Sequence, residues 1–151
     1  GPGSGKTIDV EELERHLGVE ADASLQDAAL QAFGGRPAPA QSGLRRALAE
    51  GESPVMAVRQ ASIHLGKLRR INVLQANGAG AKEAAKAAGV FWKQEAEMLR
   101  QARSWRLEDL DRVLDSVNTA DVATKTTGSP DQLIAERLLL EISARARRLG
   151  L

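Results

Sequence analysis

Apolar residues recur along the longer segments of this chain at steps of three and four, which predicts a succession of helices. Asp9 opens a capping box with Glu12, with Ile8 and Leu13 at the staple positions, and this first helix runs to about Leu17 before Gly18. Ser24 is read as the cap of a second helix, with Asp27 in its first turn and Gly34-Gly35 as its end. Arg36 to Ala40 is a loop or a Pro-initiated helix start, and a third helix covers Ala40 to Glu50. Ser53-Pro54 opens a long fourth helix ending near Ala76, with Val58, Ala61, Leu65, Leu68 and Val73 as most of one buried stripe. After the turn Asn77 to Gly80, a short Ala-rich helix spans Ala81 to Ala88 and closes at Gly89. A sixth helix is expected from Phe91 to Arg103 and a seventh from Leu107 to Lys125. The last, opened by Ser129-Pro130-Asp131, reaches about Arg148.

Composition strengthens this pattern. The chain has 151 residues, 25 of them Ala and 19 Leu, with few β-branched or aromatic residues to build strands. The fold class is therefore all-α, a bundle of about six to eight helices. At this length roughly two-thirds of the unfolded surface can be buried, enough for one core. Gly1 to Ser4 is read as an expression scar, residues 5–22 as the end of a preceding domain, and residues 23–151 as the helical domain proper. The scar creates a decoy, because Gly1 to Thr7 reads GPGSGKT. A phosphate-binding loop needs a Gly five positions before the Gly of Gly-Lys-Thr, and counting back from Gly5 runs off the chain.

Charge and rare residues narrow the function classes. Net charge is +1, which argues against a protein that coats nucleic acid. With no Cys there is neither a thiol nucleophile nor a thiolate zinc site, and a reducing cytoplasm suits the chain. His16 and His64 are too far apart for a histidine metal cluster. No run approaches the roughly 20 apolar residues of a membrane helix. No cofactor, metal or small-molecule substrate is indicated, and no catalytic constellation appears. His64 falls within the fourth helix, away from its apolar stripe, and is read as structural or solvated.

Three constellations remain. Leu107, Leu110, Leu114 and Val117 define the expected stripe of the seventh helix, and the next position on it is Asp121, with Lys125 one turn on. This is either an exposed ion pair worth well under about 1 kcal/mol or a structural pair fixing how that helix meets the last one. In the last helix Leu133, Leu138, Leu139, Leu140 and Ile142 are apolar, and three consecutive leucines sweep about 200°. Either its own bundle encloses it or part of that face meets another subunit. Arg100, Arg103 and Arg106, at steps of three, form a weak candidate for DNA contact against the alternative of a solvated face. Trp92 and Trp105 are expected as core anchors.

Trp105-Arg106-Leu107-Glu108-Asp109-Leu110, followed by Ala120-Asp121-Val122-Ala123-Thr124-Lys125-Thr126 and Gly128, resembles the C-terminal domain of the delta subunit of the bacterial DNA polymerase III clamp loader. Glu50-Gly51-Glu52-Ser53-Pro54 before a long helix resembles that family's Gly-Glu-x-Pro, and Thr7 to Leu13 resembles the last helix of its lid domain. Departures are Arg106 in the family's Ser cap position, an additional Thr before Gly128, and a stretch at residues 34–43 richer in Pro and Gly. The resemblance implies a collar domain that packs with those of the tau/gamma ATPase subunits and delta-prime into a ring of five. It implies a scaffold rather than an enzyme, a fragment of a subunit of the DNA polymerase III holoenzyme. Its work would be to hold delta in place while N-terminal modules open the sliding clamp and load it on primed DNA, with DNA contact indirect or weak.

Overall fold

The computed structural model describes residues 24–151, and every regular element among them is helical. The readings of residues 1–4 and 5–22, including Asp9, Glu12 and His16, lie outside the described residues. Helix α1 occupies residues 24–33, α2 Pro37–Ala49, α3 Pro54–Ala76, α4 Ala81–Ala87, α5 Glu95–Ser104, α6 Leu107–Thr124 and α7 Asp131–Arg148. Ser24 is already helical, so it does not stand outside α1 as a cap. Pro37 begins α2, the Pro-initiated alternative, because its fixed φ and missing N–H cost nothing in a first turn. The expected sixth helix is divided: Trp92–Gln94 forms a 3-10 turn, and α5 follows.

Helix α3 is the hub. It packs against α4, α5, α6 and α7, while α2 lies on α7 and α6 runs beside α7. Its buried face is Ala57, Val58, Ala61, His64, Leu65, Leu68 and Ile71. The expected stripe fails at its last member, since Val73 is exposed and Ile71 is buried. A step of five from Leu68 turns about 500°, well off the stripe, whereas a step of three keeps to it. In α6 the stripe also shifts: Leu110, Val113, Val117, Ala120 and Thr124 are buried, while Leu107 is exposed and Leu114 only half-buried.

Two glycines allow close approaches. A Cβ at Gly43 in α2 would lie 3.4 Å from the Cβ of Ala28, so α1 and α2 meet there backbone to side chain. Gly35 closes α1 at φ +77°, with its N–H donating to the Ala32 carbonyl and the Arg36 N–H to the Gln31 carbonyl.

The core centres on Phe33 and Trp105, whose rings are 5.2 Å apart and tilted. The Trp105 indole N–H donates to the Phe33 carbonyl at 2.9 Å, and the Asn72 amide donates to the Trp105 carbonyl at 2.6 Å. Trp105 is fully buried, as its expected anchor role requires, but Trp92 is 72% exposed and anchors nothing in the bundle. Trp105→Ala is expected to cost about 3–5 kcal/mol in urea unfolding, from lost burial and a stranded carbonyl. Trp92→Ala should change stability by less than about 0.5 kcal/mol. Equal losses at the two positions would contradict this assignment.

Candidate interaction surface

Helix α7 divides its apolar residues between two faces. Leu138, Leu139 and Ile142 are buried, together with Ala135, Ser143 and Ala146, and are consumed by packing against α2, α3 and α6. Leu139 and Ile142 therefore offer no free surface, and Leu138 offers only a small part of its side chain. Leu133 is 42% exposed and Leu140 47% exposed. The two are seven residues apart, two turns of one face. Val122 of α6, 69% exposed, adds to the apolar surface on this pair of helices.

Between α6 and α7 lies an open groove of about 410 Å³. Ser116, Thr119, Ala120 and Ala123 line it from α6, and Ile134, Arg137, Leu138 and Glu141 from α7, with Asp115 at its edge. The small α6 residues leave the groove open, because no long side chain from that helix fills the space over Leu138.

Asp121 and Lys125 do pair, at 3.1 Å, but both side chains stand largely in solvent. Asp121 is not on the buried stripe; Ala120 and Thr124 are, and the Thr124 hydroxyl donates to the Ala120 carbonyl at 2.9 Å. The pair borders a depression shared with Val55, Met56 and Arg59 of α3, so it faces α3 rather than α7. Asp121→Ala is expected to cost less than about 1 kcal/mol in thermal unfolding.

The basic series does not form one face. Arg106 lies beyond α5, at the start of α6. The Arg100 guanidinium is spent on Glu97, Nε to Oε1 at 2.8 Å and a terminal nitrogen to Oε2 at 2.9 Å, and also reaches the Gly34 carbonyl. Only Arg103 and Arg106 remain exposed.

Glu97 belongs to a polar network that patterning did not disclose. Arg36 donates to it at 3.1 Å across 61 positions, and the Gln101 amide donates to it at 2.7 Å. That amide also donates to the Leu30 carbonyl at 2.9 Å, so the Gln101 oxygen is left to accept from His64 Nε2 at 2.7 Å. His64 is buried and stacks on Phe33 with ring centroids 4.7 Å apart. It therefore lies inside the core rather than off the packed face. Burial holds its imidazole down at about 4, outweighing the bond to Gln101. Burial would raise Glu97, but the hydrogen bonds from Arg100, Arg36 and Gln101 prevail and hold it at about 2.

These two groups set an acid dependence. The unfolded chain binds a proton at His64 below its ordinary pKa of 6.5, while the folded chain refuses it until about 4. The stability His64 confers is complete above pH 6.5 and is lost as pH falls through that window, by about 3 kcal/mol. Glu97 adds a second loss below its ordinary 4.5. Urea midpoints at pH 7.5, 6, 5 and 4.5 should fall steeply for the natural sequence and flatten in His64→Gln. An unchanged slope in that variant would assign the acid sensitivity elsewhere.

No protein-family model and no curated protein matches the sequence. Among solved structures, the chain is similar to the Bacillus subtilis DNA clamp loader delta protein YqeN. The helical fold is shared. The superposition has a TM-score of 0.67 and covers 83% of this chain at 18% identity. The chain spans 37% of that protein's length. Among the described residues, no helix is long and apolar enough to cross a membrane.

Proposed function

We propose that this chain is the collar-like assembly domain of a clamp-loader delta subunit. It is a scaffold without catalytic residues of its own. It holds delta in a pentamer with the tau/gamma ATPase subunits and delta-prime in the cytoplasm, so that modules elsewhere in delta can open the sliding clamp and load it on primed DNA. The observation that carries this reading is the likeness in fold to the clamp loader delta protein, which extends over most of the described bundle. Exposed apolar surface supports it: Leu133, Leu140 and Val122 project from α6 and α7 where a neighbour can cover them. A stable interface there would remove upwards of about 1,000 Å² from solvent. His64, the buried imidazole, is committed to Phe33 and Gln101 and free for no chemistry.

In gel filtration this chain is expected to co-elute with purified ATPase and delta-prime subunits. Leu140→Arg, at an exposed position, should weaken that association by at least about tenfold while leaving the thermal transition in place. Failure of the natural sequence to co-elute would sink the reading. DNA binding that falls steeply with salt, in the absence of co-elution, would replace it with a nucleic-acid role for Arg103 and Arg106.

A further inference from the structure

We infer that the α6–α7 groove receives one amphipathic helix from a neighbouring subunit, with a Lys or Arg of that helix seated at the end marked by Asp115 and Glu141. This rests on the assembly reading above and adds the chemistry of the partner.

The shape argues for a helix. Ser116, Thr119, Ala120 and Ala123 stand at positions i, i+3, i+4 and i+7 of α6. Ile134, Arg137, Leu138 and Glu141 repeat the same spacing in α7. Each wall is therefore two turns of helix, about 10 Å long at 1.5 Å per residue. Apolar side chains at the same spacing on an incoming helix match such walls. Ala120 and Ala123 leave its backbone room to approach, and Leu133, Leu140 and Val122 are exposed on the same two helices.

The charges fix the polarity. Helices α6 and α7 are joined by the short connection at residues 125–130 and pack along each other, so they run antiparallel. Ala123 and Ile134 lie near that connection. Asp115 and Glu141 lie far from it on their respective helices, and so share the opposite end of the groove. Both are exposed, and among the described residues neither makes an ion pair; Arg137, between the two ends, makes none either. Two carboxylates without an ion-pair partner make that end of the groove negative. A cationic side chain from the partner complements that charge and sets the direction in which the helix lies.

The test uses this chain with the purified ATPase and delta-prime subunits. The double variant Asp115→Lys/Glu141→Lys changes only exposed side chains, and Thr119→Trp fills the groove from an exposed position. Both are expected to keep the thermal transition of the natural sequence and to bind at least about tenfold more weakly. Association of the natural sequence should weaken as salt rises, and that of the double variant should not. If both variants bind within twofold of the natural sequence while Leu140→Arg does not, the groove inference falls and the assembly reading stands. If the natural sequence itself fails to associate, the assembly reading falls and takes this inference with it.

Discussion

Carbonyls at the end of α1 and just beyond it accept hydrogen bonds from distant side chains, and these bonds organise the bundle. Leu30, which also accepts from the Gly34 N–H, accepts from Gln101, Phe33 from Trp105, Gly34 from Arg100 and Gly35 from Arg147. A buried carbonyl without a donor costs about 1–3 kcal/mol, so this cluster cannot be left open. The donors come from α5, from the residue that follows it, and from α7. Meeting the requirement therefore brings the middle of the chain and its last helix against one turn. Glu97 completes the arrangement by gathering Arg36, Arg100 and Gln101, which holds two of those donors in place.

This inner clamp decides which surfaces stay free. Because α3 is enclosed by four helices and α1 is tied to α5, the flank of α6 and α7 away from α3 has nothing among the described residues to cover it. The groove lies on that flank, with small residues on one wall and Leu138 exposed only within it. The division of α7 into a consumed face and an offered face is thus a product of where the hub sits, rather than of α7's composition.

Most of the fold was legible in the sequence, because long helices with strong punctuation leave little choice. Pro54, the glycine-rich turn at Asn77 to Gly80 and the Ser129-Pro130 break set boundaries that the structure keeps to within a residue or two. The apolar faces were less legible. Consecutive leucines at 138 to 140 do not say which one points outward until α2 and α3 are placed. The same holds for Leu114 against Val113. Trp92 misled because aromatic size favours burial on average, yet it sits in a 3-10 turn that lifts it off the core. The Glu97 network was illegible, since its partners lie 61 or more positions away or appear as ordinary helix-surface residues. Gln101 on the buried side of α5, next to an acidic residue and two arginines, was the one hint available.

The clamp on α1 has a consequence for how the chain acquires its structure. Phe33 waits for Trp105, 72 positions later, and Gly35 for Arg147, 112 positions later. During synthesis α1 and α2 therefore emerge well before their permanent partners exist. Leu25, Phe33 and Leu44 must remain partly unburied or be sheltered transiently until α5 and α7 leave the ribosome. Closing such distant contacts also slows spontaneous folding relative to a bundle stitched from neighbours in sequence. The chain's early helices are in this sense the last to be secured.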